Sequence, residues 1–332
     1  MIGWLAVLVF VAATLASLFL IGALIPRLHS AQVIDIPNVR SLHAAPVPRG
    51  AGLVIALVVL AVQVVLLGMG SWPVQSGAFT TLVAAGFAAL GWADDRASRS
   101  VGLRLAVQAL LAAVFVFGAL PADTAWWLRA GVGLALLWQV NLFNFMDGAD
   151  GFAGVQTISA ALGLALLLML SGHHGPALAA CALAGAACGF LRWNWHPARI
   201  FLGDVGSYFI GFELGALAIF SVEVGHVPWP ALILLAPFVI DASLTCAVRV
   251  LRGHAVWRAH REHAYQALVL RGWSPARVSV SLAVLSLVLC WPAAVLAIRH
   301  GATAGVFVYG LLAIIWLWVR RWARRASSQP AN

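Results

Sequence analysis

Long apolar stretches alternate with short polar joints along the whole chain. Eleven stretches stand out, at residues 2–25, 51–69, 78–93, 104–120, 126–143, 154–171, 176–191, 205–222, 229–248, 277–297 and 304–319. A helix crosses the hydrocarbon core of a bilayer with about 20 apolar residues. The pattern therefore predicts an all-α polytopic membrane protein of about eleven transmembrane helices. The stretches 78–93, 176–191 and 304–319 are short and are expected to extend into their flanks. No Lys or Arg precedes the first stretch, whose first charge is Arg27. It lacks the basic start of a cleaved signal, and it reads as a retained helix with its N-terminus outside.

The composition agrees with that class. Of the 332 residues 63% are hydrophobic and 9% charged, against about 25% charged in soluble domains. The four cysteines lie inside apolar stretches with no disulfide or zinc spacing. The net charge of +9 reports topology, and nucleic acid is not expected as a partner. All 20 basic residues are arginines, and 18 of them fall in or beside 26–50, 94–104, 192–204, 249–276 and 320–332. The positive-inside rule puts those joints, and the C-terminus, in the cytoplasm. The chain reads as a single transmembrane domain over 1–332, with a long cytoplasmic loop at 249–276 and a basic tail at 320–332. Trp72, Trp126, Trp127, Trp229 and Trp291 fall near outer ends, where interfacial anchors belong.

The acids collect on the same side. Asp35, Asp94, Asp95, Asp147, Asp150, Asp204 and Glu262 lie in cytoplasmic joints, and Asp241 sits in the ninth stretch near its inner end. Ionisable groups at a membrane edge are functional candidates. In NLFNFMDGADGFAG (141–154), Asn141, Asn144, Asp147 and Asp150 recur every third residue. On a helix they would share one side. Carboxylates in so apolar a setting call for neutralisation, and a divalent cation supplies it. A polar helix end with a Gly-rich turn is the plainer alternative. GWADDR (91–96) places adjacent Asp94 and Asp95 at an inner helix end, where Arg96 and Arg99 offer a simple pairing. FLGDVGS (201–207) puts Asp204 and Ser207 at a helix start, suited to phosphate or to plain capping. HREHAYQ (260–266) offers His260, Arg261 and His263 as a diphosphate clamp, or as a basic loop that holds anionic lipid. DIPNVRSLHAAPVPRG (35–50) is a Pro-broken loop.

In this order these motifs resemble the polyprenyl-phosphate N-acetylhexosamine-1-phosphate transferases, over residues about 35 to 266. The resemblance implies transfer of a sugar 1-phosphate from a UDP-N-acetylhexosamine to undecaprenyl phosphate. UMP is released at the cytoplasmic face of the bacterial inner membrane, with Mg²⁺ or Mn²⁺ as cofactor. It implies Asp150 and Asp204 as metal ligands, and Asp94, Asp95 and Asp147 as the catalytic carboxylates. Asn38, Arg40, His43, Asn144, Asn194, His260, Arg261 and His263 would bind substrate. The last loop reads HREH where the peptidoglycan enzyme has a histidine run. That departure points to the branch that initiates O-antigen in lipopolysaccharide synthesis. Phe152 stands where leucine is commoner. A homodimer is left open. A secondary transporter with ion-coupling acids is the alternative, distinguishable by substrate flux without UMP release. A CDP-alcohol phosphotransferase would need a longer DG…AR…D pattern that 147–154 does not continue.

Overall fold

In a computed structural model, residues 2–37, 42, 45–97, 99–222, 226–255 and 260–325 are described, with backbone alone at 324 and 325. Asn38, Arg40 and His43 fall outside the described residues. All eleven apolar stretches are helical. They form α1 (Ile2–Ser30), α2 (Gly52–Gly68), α3 (Val74–Arg96), α4 (Val101–Gly118), α5 (Trp126–Met146), α6 (Phe152–Leu170), α7 (His174–Asn194), α8 (Asp204–Phe220) and α9 (Trp229–Leu251). A short α10 (Ala264–Leu270) follows, then α11 (Pro275–Leu285) and α12 (Trp291–His300), joined by a π-turn, and α13 (Ala302–Arg325). Eight helices among the described residues are long and apolar enough to cross a membrane. The predicted short spans did extend: 78–93 became 74–96, and 176–191 became 174–194.

Helices α7 and α8 form the core. α1 and α6 lie along α7, while α3 and α5 lie along α8. The Ala- and Gly-rich face of α7, HGPALAACALAGAACG, lets neighbours approach closely. That is how helices associate where lipid removes the hydrophobic drive between them. Ser17 Oγ donates to the Ala186 carbonyl at 2.7 Å and Trp193 Nε1 to the Leu18 carbonyl at 2.9 Å, fixing α1 against α7. The rim helices expose Trp4, Leu8, Phe117, Leu134 and Val288, as lipid-facing surfaces do.

Three sequence expectations change. The helix of the 141–154 motif stops at Met146, so Asp147 and Asp150 lie in the turn beyond it and do not continue one helical face. Gly151, at φ 76°, takes the left-handed conformation that ends this turn and starts α6. Trp72 is no interfacial anchor: it is buried against Phe220, their rings edge-to-face at 5.9 Å, whereas Trp126 and Trp127 are exposed. The 26–50 joint is not wholly irregular either. Ile34–Asp35 pairs antiparallel with Val47–Pro48, and Phe201 N donates to the Pro48 carbonyl at 2.8 Å. That contact pins this joint to the one between α7 and α8.

Candidate active site

The C-terminal ends of α3 and α5 and the N-terminal end of α8 meet at a few close backbone contacts. A methyl group on Gly91 of α3 would stand 2.3 Å from the Asp204 carbonyl, so only glycine lets α3 reach the start of α8. Three residues further along α3 are the adjacent carboxylates. Asp95 accepts from Asp204 N at 3.0 Å and Val205 N at 3.1 Å. A carboxylate on α3 thus caps α8 from a separate element, where an acid complements both the free N–H groups and the helix dipole. This changes two readings of FLGDVGS. Asp204 is the first helical residue rather than the cap. The amides of Asp204 and Val205, free for phosphate in the sequence reading, are already engaged. Arg49 reaches the same carboxylate with Nε at 3.9 Å and donates to the Asp95 carbonyl.

Asp94 has a different set of donors. It accepts from Arg104 at 2.9 Å, Arg99 N at 2.8 Å and the Tyr208 hydroxyl at 3.1 Å. Its partner is therefore not Arg96, whose guanidinium lies 4.2 Å from the Trp92 ring centroid. From α5, Asn144 donates to Asp204 Oδ1 at 2.7 Å and to Ser207 Oγ at 2.9 Å. Asn141 instead bonds Gln108 at 2.7 Å, away from the acids.

In the turn after α5 the two aspartates differ. Asp150 accepts from His196 Nδ1 at 2.7 Å and from Ala198 N at 3.1 Å. Asp147 accepts no hydrogen bond from any described residue. Burial raises its pKa well above the ordinary carboxylate value, and the nearby charges of Asp204, Asp95 and Asp150 push the same way. Buried carboxylates that repel one another with no cation between them are the setting in which a hard divalent ion is stabilising. No three His, Cys, Asp or Glu among the described residues are drawn together at ligand spacing. The donor chemistry fits a divalent cation all the same, because all four acids offer oxygen and one of them has no other partner.

Asn194 is buried and uses both ends of its amide as a brace. It accepts from Gly151 N at 2.8 Å and donates to the Ile200 carbonyl at 2.9 Å. The last loop docks onto the same turn. Tyr265 stacks on Phe152 at 4.6 Å and its hydroxyl reaches the Phe145 carbonyl at 3.3 Å. His263 is buried and stacks between Phe145 and Tyr265, with the His260 ring 4.9 Å away. Burial, His263 and Arg249 together depress the His260 pKa to about 4. Arg261 is exposed and turns to a separate cavity beside α13. Within the predicted clamp the two histidines thus stay together and Arg261 parts from them.

Sequence reasoning missed the residue that holds this loop. Asp241, on α9, accepts from Ala264 N at 2.8 Å, Tyr265 N at 3.2 Å, Trp316 Nε1 at 3.1 Å and Thr245 Oγ1 at 3.2 Å. An acid inside an apolar stretch was the available signal. Arg49, His196 and Tyr208 gave none, since their partners lie 46 to 114 residues away in the chain, and Arg104 meets Asp94 only across the break between α3 and α4.

Residues 78–222 match the family described as Glycosyl transferase family 4. That segment carries Asp94, Asp95, Asn144, Asp147, Asp150, Asn194 and Asp204. The phospho-N-acetylmuramoyl-pentapeptide-transferase of Synechococcus sp. (strain RCC307) is 36% identical over 246 residues, 63% of this chain and 66% of that protein. The protein of the same name from Desulforudis audaxviator (strain MP104C) is 33% identical over 248 residues, 64% of this chain and 72% of its own. The decaprenyl-phosphate N-acetylglucosaminephosphotransferase of Mycobacterium leprae (strain TN) is 30% identical over 303 residues, 78% of this chain and 75% of that protein. None of these three names is that of an O-antigen enzyme. With this identity and coverage, on a bundle whose acids meet at one end, the chain belongs to glycosyl transferase family 4.

Proposed function

We propose that the protein transfers N-acetylhexosamine 1-phosphate from a UDP-sugar to undecaprenyl phosphate at the cytoplasmic face of the bacterial inner membrane. One observation carries the reading: the carboxylates of Asp95, Asp147, Asp150 and Asp204 gather where α3, α5 and α8 meet, close enough that their repulsion adds to burial in raising the Asp147 pKa well above the ordinary value. A site of that kind is suited to the metal-bridged diphosphate of a nucleotide sugar. The names of the relatives point the same way, and nothing favours a transporter.

In the reaction an oxygen of the lipid phosphate attacks the sugar-bearing phosphorus. The P–O bond to UMP breaks, and a lipid-linked diphosphate sugar remains. Phosphoryl transfer of this kind needs mostly positioning and charge neutralisation. Bound Mg²⁺ or Mn²⁺ would supply the neutralising charge. Asp204 and Asp150 would hold it, together with Asp147. Asn144 keeps the Asp204 carboxylate oriented from α5, and Ser207 shares that amide. Asp95 joins α3 to the start of α8, which keeps Asp204 in register with the turn after α5. Asp94, with Arg104 and Tyr208 around it, faces the lipid phosphate. That phosphate is largely dianionic at neutral pH, its second pKa being about 6, so a strong base is not required. His260 and His263 border the nucleotide side. Asn38, Arg40 and His43 belong to the joint that Arg49 ties to Asp95, and we assign them to substrate. The HREH run favours the O-antigen-initiating branch.

Purified protein with undecaprenyl phosphate, Mg²⁺ and a panel of UDP-N-acetylhexosamines tests this, with UMP and the lipid product both measured. UMP release that depends on the lipid is the expected result. Uptake of a solute into proteoliposomes without UMP would refute it, as would normal turnover in Asp150→Asn or Asp204→Asn.

A further inference from the structure

A cavity of about 440 Å³ opens between α10 and the end of α13, and Arg261, Arg271 and Arg320 line it. It is separate from the carboxylate site. The acids cluster where α3, α5 and α8 meet, whereas α13 packs on α9, α10 and α12. Glu262 is the one acid in the lining, and Arg249 and Arg320 already engage it, Arg320 at 3.5 Å. Arg271 Nε donates to the Ala323 carbonyl at 2.9 Å and its guanidinium lies 5.6 Å from the Trp322 ring centroid. No described carboxylate pairs with Arg271 or with exposed Arg261. The cavity therefore holds more guanidinium charge than its one glutamate can balance.

The level of the cavity along the bundle matters equally. Trp318 and Trp322, both exposed, stack at 6.5 Å on the same end of α13. Exposed tryptophans at a helix end mark the headgroup zone of a bilayer. A basic cavity between helices at that depth suits a lipid phosphate, and the planar fork of arginine matches phosphate oxygens in pairs.

We propose that this cavity binds the phosphate of an anionic phospholipid, bridging α10 to α13 beside the 260–263 loop. A phospholipid fits better than the polyprenyl phosphate of the proposed reaction, because α10 lines the cavity with Ala267 and Leu270 while its Tyr265 packs against the acid-bearing turn. The site requires no transfer chemistry, so its test is a binding measurement that stands whether or not the enzymatic reading does.

Native mass spectrometry of the full chain in detergent, with equimolar phosphatidylglycerol and phosphatidylcholine, provides that test. Wild type should retain phosphatidylglycerol preferentially. Arg271→Gln should lower that preference about fivefold, the share of one basic residue at a membrane surface. Ala267→Glu, which adds a charge to the cavity without removing any bond, should lower it at least as far. Arg271→Lys should restore part of it. Equal retention of the two lipids by wild type, or an unchanged preference in both Arg271→Gln and Ala267→Glu, would overturn the site. A second arm adds undecaprenyl phosphate. If it displaces phosphatidylglycerol mole for mole and is lost in the same variants, the phospholipid is the wrong source.

Discussion

Asp241→Asn isolates the link between the membrane helices and the 260–266 loop. The wild-type carboxylate accepts two backbone amides at the start of α10, Ala264 N on Oδ1 and Tyr265 N on Oδ2. Oδ1 also takes the Trp316 indole and the Thr245 hydroxyl. Asparagine has the same shape but only one accepting oxygen, and its NH₂ would face one of the two amides. One buried N–H then loses its partner, and the remaining bonds lose their ionic character. A buried donor left without an acceptor costs about 1–3 kcal/mol. Taking about 2 kcal/mol, the docked loop becomes about thirtyfold less favoured over the released one. The bundle should keep its fold, because Asp241 touches no contact between α3, α5, α7 and α8. Hydrogen–deuterium exchange in detergent reads this directly. Amides 264–267 should exchange about thirtyfold faster, while those of α7 and α8 stay as protected as in wild type. UMP release should fall with the loop's docking. Unchanged exchange at 264–267 would refute the anchoring role, and uniform deprotection of every helix would mean that Asp241 supports the whole fold instead.

Three further outcomes follow from the site. Asp147→Asn should cut UMP release by at least about a hundredfold and raise the Mg²⁺ concentration needed for what remains, while the protein melts no lower than wild type, since its carboxylate accepts no hydrogen bond from a described residue; retained turnover at the wild-type Mg²⁺ requirement would remove it from the site. Gly91→Ala, whose methyl group would stand 2.3 Å from the Asp204 carbonyl, should lower stability by about 1–3 kcal/mol and turnover more steeply, read by melting in detergent and by UMP release. His260, with its pKa depressed to about 4 from 6.5, stays neutral in the fold where the unfolded chain would take up a proton. Its share of stability is therefore constant above pH 6.5 and declines as pH falls from there towards 4. In His260→Gln that portion of the pH–melting curve should flatten.

The membrane class and the eleven long helical stretches are legible in the sequence, because burial in lipid demands a run of apolar residues, whereas the short α10 inside the 249–276 loop has no such run to mark it. The grouping of acids at one set of joints is legible too, through the arginines that mark the same side. Which acid meets which partner is not. Asp95 bonds amides 109 and 110 positions further along the chain, and Asp94 meets Tyr208 across 114. No spacing rule reaches across such separations. The three-residue period of 141–150 suggested one helical face, yet the helix stops at Met146 and a left-handed glycine turns the chain. Local periodicity describes a helix only while the helix lasts.

By itself, then, the sequence determined the solvent this protein lives in, its helices, and the end at which its chemistry gathers. Each of those follows from composition and order along one segment at a time. The tertiary structure decided that Asp95 caps α8 and that Asp147 alone among the clustered acids accepts from no described residue. It also decided that Arg261 leaves its neighbouring histidines for a cavity beside α13. Those outcomes depend on how closely separate helices approach, which small residues such as Gly91 permit and no single segment encodes.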